Sequence, residues 1–251
     1  MVAPVAPRSR FPQIPELFLG LVAIALAGVL MAHTFASTIR DARHTRDTVR
    51  VTGSAKKPIT ANLVRWTLAV NAEARTAPPA VRQLRRESAV VRAFLRKAQI
   101  SGAAISSSVV TSDKVVERVS KTRTRTYYRA SQQLEVTTRD IDAVEAVSAR
   151  IGGLIADGID VSARPLAYLS TELTQAKLDA LDAATQDARQ RAEILVHGLG
   201  GKLGRMRASS LGVYQVTPRD STDVSDYGIS DTSSREKDVN AVVSATFAVD
   251  H

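Results

Sequence analysis

The segment Arg65-Trp66-Thr67-Leu68-Ala69-Val70-Asn71-Ala72, together with the helical pattern that follows Pro78-Pro79, decides the fold class. Trp66, Leu68, Val70 and Ala72 fall on one side of an extended chain, and Arg65, Thr67 and Asn71 fall on the other. This two-residue alternation is that of a half-buried strand. The period then changes. Val81, Leu84, Val91, Leu95 and Ala98 recur at helical spacing as far as about Gln99, beside a face of Arg82, Arg85, Arg86, Arg92 and Arg96. Proline suits the first turn of such a helix, where an amide hydrogen would have no partner in any case. A strand with one apolar face, joined directly to an amphipathic helix, predicts an α+β domain.

Working outward, Thr48 to Val51 reads as a first strand ended by Gly53. Ser101-Gly102 breaks the helix, and Ile105 to Val119 and Thr124 to Thr137 resemble a long hairpin. Its second arm sets Tyr128, Ala130, Gln132, Leu134 and Val136 against Tyr127, Arg129 and Glu135. Asp140 is placed to cap a helix with the apolar stripe Ile141, Val144, Val147, Ile151, Leu154 and Ile155, ending at Gly158. A strand near Val161 to Leu169 contains Pro165 and so belongs at an edge or a bulge.

The longest helix is expected from about Glu172 to Leu199, with Ala176, Ala180, Ala184, Ala188 and Ala192 repeating every fourth residue. Such a stripe admits a close neighbour, either the core of its own domain or a helix of another chain. Gly198, Gly200 and Gly201 stop it, and Leu203 to Val216 is extended. A polar loop, Pro218 to Asp238, precedes a final strand in which Val239, Ala241, Val243, Ala245, Phe247 and Val249 alternate. The sum is a set of antiparallel strands packed with three long helices.

Ahead of this domain, Leu17 to Ala36 reads LFLGLVAIALAGVLMAHTFA, with no formally charged residue between Glu16 and Arg40. At about 1.5 Å per residue it spans about 30 Å, the thickness of a hydrocarbon core. The expected organisation is a tail over residues 1–16, a transmembrane helix over 17–36, a connector over 37–47 and the α+β domain over 48–251. A cleaved secretory signal is the alternative, since Arg8 and Arg10 give a basic start and Thr34-Phe35-Ala36 resembles a cleavage site. Arg40, Arg43 and Arg46 follow the apolar run, so flanking charge leaves the orientation open.

Composition narrows the function. With no cysteine, disulfides, thiolate catalysis and thiolate metal sites are excluded. The four histidines, His33, His44, His197 and His251, fall in no metal or triad spacing. There is no phosphate loop, dinucleotide fingerprint or nucleophile elbow, so no catalytic or cofactor-binding residue is assigned and the chain is read as a non-enzyme. Asp220, Asp223, Asp226 and Asp231 share one loop but lack the alternating spacing of a calcium loop, so no metal site is assigned either.

The net charge of +9 asks for an anionic surface or a solvated one, and no nucleic-acid motif accompanies it. The densest cluster is the hairpin tip, where Lys121, Arg123 and Arg125, with Arg129 nearby, form the candidate surface for an anionic ligand such as a lipid headgroup or wall polymer. The competing reading is a charged hairpin end that resists edge-to-edge pairing.

Several motifs resemble the SIMPL domain family (DUF541, YggE-like), in its membrane-anchored branch. They are Val51-Thr52-Gly53-Ser54-Ala55, the helical run from Ala183 to Glu193, the Gly200 to Gly204 stretch, Gly212-Val213-Tyr214-Gln215-Val216-Thr217-Pro218, Ser225-Asp226-Tyr227-Gly228 and Val242 to Phe247. The resemblance covers nearly all of Thr48 to Val249. It implies an α+β domain outside the cytoplasm of a bacterium, held by a single span of the inner membrane with residues 1–16 as a cytoplasmic tail. It also implies homo-oligomers, ring-like in at least one member, a link to stress defence in some members, and no catalytic residues. Membrane lipid and further copies of the chain are therefore the expected partners, and nucleic acid is not.

Overall fold

The computed structural model describes residues 47–250. The expected transmembrane helix over 17–36, the tail over 1–16 and the connector as far as residue 46 lie outside the described residues. Among the described residues no helix is long and apolar enough to cross a membrane. The architecture is a mixture of strands and helices arranged on two sheets.

The first sheet has six strands in the order β3-β5-β2-β6, with β4 also on β5 and β7 also on β2. Here β2 is Leu63–Ala74, β3 Ile105–Ser107, β4 Thr111–Arg118, β5 Thr124–Thr138, β6 Val161–Ala163 and β7 Ala167–Leu169. The antiparallel register of β2 on β5 places Trp66 opposite Val136, Leu68 opposite Leu134 and Ala72 opposite Ala130, so the apolar alternations of both strands share one face. Helix α1, Ala77–Lys97, covers that face with Leu84, Val91 and Leu95. Val144 and Val147 of α2, Ile141–Ser148, and Leu154 of α3, Ile151–Ala156, complete the cluster. Each large apolar side chain buried here contributes about 1.5–3 kcal/mol relative to exposure. Trp66 is accommodated because its Nε1–H donates to the Arg164 carbonyl at 3.1 Å. The other face is polar: Arg65 pairs with Glu135 at 3.6 Å and Ser131 with Asn71 at 2.9 Å.

The second sheet has five strands in the order β1-β11-β9-β10, with β8 also on β11. These are β1 Thr48–Thr60, β8 Lys202–Leu211, β9 Gln215–Pro218, β10 Ile229–Ser230 and β11 Glu236–Asp250. Helix α4, Leu173–Gly198, turns its alanines inward. Ala176, Ala180 and Ala184 pack with Val216, Val239, Ala241 and Val243, and Ala188 is fully buried. The stripe therefore serves the chain's own core.

The described residues divide into two compact units. The larger comprises Val51–Arg191 and Ser209–Ala245 and holds the clusters above. The smaller takes residues 47–50, Ala192–Ala208 and residues 246–250. In it Ala192, Val196, Phe247 and Ala248 are buried, Val249 N–H donates to the Asp47 carbonyl at 2.9 Å, and Gly201 N–H closes the helix end on the Val196 carbonyl at 3.0 Å.

Six sequence expectations change. The stretch expected from Leu203 to Val216 is the separate strands β8 and β9, and β10 pairs with β9 in parallel rather than antiparallel. β1 does not stop at Gly53 but runs to Thr60, because that glycine serves a close helix contact rather than a turn. The helix expected from Asp140 to Gly158 is two short ones; Asp140 caps the first, accepting from Ala143 N–H at 3.1 Å. The first hairpin arm is broken at Ser108, whose amide donates to the Gln133 carbonyl while its hydroxyl accepts from the Gln133 amide, as in a bulge. Pro165 splits its strand into β6 and β7, both of which still pair with β2.

Candidate functional site

The basic hairpin tip is only partly available. Lys121 and Arg123 lie in the turn between β4 and β5 with exposed side chains. Arg125 and Arg129 belong instead to a cluster on the open face of the six-stranded sheet, where residues 125, 127 and 129 share one side of β5. Arg129 donates twice to Glu73 Oε1, at 3.0 and 2.7 Å, and once to the Tyr127 hydroxyl at 3.3 Å. Arg125 reaches Glu73 Oε2 at 4.0 Å. Both guanidinium groups flank the Tyr127 ring, at 4.8 and 5.8 Å from its centroid. The Glu73 hydrogen bond, followed by the charge of Tyr127, holds Arg129 above its ordinary pKa. Of the four residues expected to form one surface, two are thus committed to an internal carboxylate and two remain free.

A second polar network attaches the 218–238 loop. Lys237, with its side chain 3% exposed, donates to Asp231 Oδ2 at 2.9 Å and to the Asp231 carbonyl at 2.6 Å. Burial alone would raise the Asp231 pKa, but bonds from Ser233 and Lys237 outweigh it and hold this carboxyl well below the usual range. Nearby, Tyr168 donates to Glu145 at 2.8 Å and its pKa is pushed up to about 12, first by burial and then by that bond. Arg235 pairs with Asp142 at 2.6 Å. These are fastenings between loops and elements. Among the described residues no three His, Cys, Asp or Glu side chains are grouped to hold a metal, and Asp223 is occupied by Ser221 at 3.0 Å.

A depression of about 560 Å³ opens beside the break between β8 and β9. Its lining includes Val213, Val224, Tyr227 and Val242, with Gln215 beneath them. The segment 225–228 is folded onto residues 213–214: Gly228 has a φ of +82°, and a Cβ there would stand 2.7 Å from Val213 Cγ1, so only glycine fits. Gln215 is 8% exposed, donates to the Ser225 carbonyl at 2.7 Å and leaves its Oε1 without a partner. The rim is apolar yet bare, with Val224 82% and Tyr227 97% exposed. Sequence reading found the Ser225 to Gly228 motif but gave it no role, because nothing in the residue types announces an exposed surface.

These features accompany a clear family assignment. The chain belongs to the SIMPL family, described as a protein of unknown function (DUF541), whose family model matches residues 49–247. No curated protein matches the chain.

Proposed function

We propose that this is a non-catalytic cell-envelope protein, tethered to the bacterial inner membrane by residues 17–36, whose SIMPL domain lies outside the cytoplasm and assembles with further copies as a scaffold. The bare apolar rim of Val213, Val224, Tyr227 and Val242 carries this reading, since grouped exposed apolar side chains mark a surface that gains by being covered. The uncharged run from Leu17 supports the tether, and the family resemblance supports the placement outside the cytoplasm and a link to stress defence.

The test is light scattering of the detergent-solubilised full chain. A multimer that falls to a smaller species in the Val224→Ser/Tyr227→Ser variant, with circular dichroism unchanged, is the expected result. A wild-type monomer at working concentrations refutes the scaffold. For the tether, a reporter active only outside the cytoplasm, fused after His251, should give signal. Signal only from a cytoplasm-specific reporter reverses the orientation, and recovery of a shortened soluble chain replaces the anchor with a cleaved signal.

A second reading, a module that binds an anionic ligand, is favoured by cations that lack internal partners. Lys121 and Arg123 are two of them, and α1 carries more.

A further inference from the structure

Helix α1 presents to solvent a face that its own fold leaves unmatched. Ala80, Leu84, Val91 and Leu95 point into the core. At about 100° per residue, Arg82, Arg85, Arg86, Ala89, Val90, Ala93, Arg96 and Lys97 occupy an arc of about 140° on the opposite side. All but the half-buried Ala93 are exposed, Val90 by 45%. The helix has one acidic residue, Glu87, and it is buried away from this arc.

Among the described residues, the side chains of Arg82, Arg85, Arg86, Arg96 and Lys97 make no ion pair or hydrogen bond. The contrast with Arg129 on Glu73, Arg219 on Glu236 and Arg235 on Asp142 is direct. Arg82 and Arg86 are four residues apart and Arg82 and Arg85 three, so these arginines repel one another on the helix surface, while Arg96 and Lys97 lie in the last turn, where the dipole favours cations. A helix that carries this arrangement gains when an external anion neutralises it.

We propose that the outer face of α1 docks on the anionic phospholipid headgroups of the bilayer that anchors the chain. The inference rests on the tether proposed above. A helix face about 24 Å long from Arg82 to Lys97, with cations at both ends and a small apolar patch at Ala89, Val90 and Ala93 between them, suits an interface better than it suits a pocket-bound ligand. Connector residues 37–47 span at most about 40 Å when extended, so the tether keeps the domain close to the bilayer. Tethering supplies a high local concentration, so a weak electrostatic attraction is sufficient. That attraction acts only within about 10 Å at ordinary ionic strength, which requires actual approach of the face.

The absence of cysteine allows a clean test. The full chain carrying Ala89→Cys, labelled with an environment-sensitive dye, is inserted into vesicles of phosphatidylcholine alone or with about one part in three phosphatidylglycerol. Flotation with both vesicles establishes the tether. The expected result is a blue shift of the dye only with phosphatidylglycerol, abolished at about 0.5 M salt. The shift should also be lost in Arg82→Ser/Arg86→Ser/Arg96→Ser, whose circular dichroism should match the parent. A dye at Gln133→Cys, on the far polar face of the six-stranded sheet, should not respond. Flotation without a shift overturns the docking and leaves the tether standing. Failure to float overturns the tether, and the docking falls with it. A shift with soluble polyphosphate but not with anionic vesicles replaces the lipid with a free polyanion.

Discussion

Gly53 of β1 lies directly on the backbone of Ala188 in α4: a Cβ at this glycine would stand 2.7 Å from Ala188 Cα and would overlap the Ala184 carbonyl oxygen and the Ala188 amide nitrogen. The next residue fastens the same crossing, because Ser54 N–H donates to Asp187 Oδ2 at 2.8 Å. That bond, followed by the one from Arg191, holds the Asp187 carboxyl below its ordinary pKa. Backbone atoms cannot rotate aside, so Gly53→Ala should cost about 3 kcal/mol, the upper end of the overpacking range. Urea unfolding reads this as a lower midpoint at unchanged slope. A midpoint equal to the wild type would mean that strand and helix stand further apart than the structure places them.

The alanine stripe gives a graded companion. Ala184 and Ala188 are fully buried, and a leucine at either must push α4 off its sheet at about 1–3 kcal/mol. Because these alanines pack inside their own chain, the assembly state should stay the same while stability falls. Dissociation of an oligomer by Ala184→Leu or Ala188→Leu, with monomer stability intact, would return the stripe to a contact between chains.

Periodicity made both layers legible in advance. Trp66 to Ala72, Ala130 to Val136, the α4 alanines and Val239 to Val249 all turn the expected faces inward, because each alternation is enforced by water on one side and a helix or sheet on the other. What stayed hidden depends on contacts distant in sequence. Gly53 reads as a strand end until a helix more than 130 residues away is seen to need the space. Arg125 and Arg129 read as free cations until β2 brings Glu73 opposite Arg129. The bare rim around Tyr227 was illegible because sequence does not say which apolar residues a loop leaves uncovered.

The tip residues should therefore separate in a substitution experiment. Arg123→Ser removes a solvated charge, a change that usually alters stability by less than about 0.5 kcal/mol. Arg129→Ser removes two hydrogen bonds from Glu73 and part of the cover of Tyr127, which is buried although it faces the open side of the sheet. Its thermal midpoint should drop measurably further than that of Arg123→Ser. Equal, negligible effects would show that the Glu73 pairing does not persist in solution.

Acid should loosen the chain at Asp231 in a predictable window. Its folded-state pKa lies below the unfolded value of about 3.9, so protonation favours the unfolded chain. The stabilisation is complete above about pH 5 and is lost as pH falls through 4 toward the folded value. Asp231→Asn leaves the buried Lys237 ammonium facing a neutral amide and should cost about 3 kcal/mol at pH 7, as when one partner of a buried pair is removed. The gap between the unfolding midpoints of wild type and variant, measured from pH 7 down to about 3, should narrow toward the acid end, because Asp231 of the unfolded wild-type chain takes up a proton there while the folded carboxylate stays ionised. A gap that stays constant across that range would place the stabilisation in packing and hydrogen bonds rather than in the charge of Asp231.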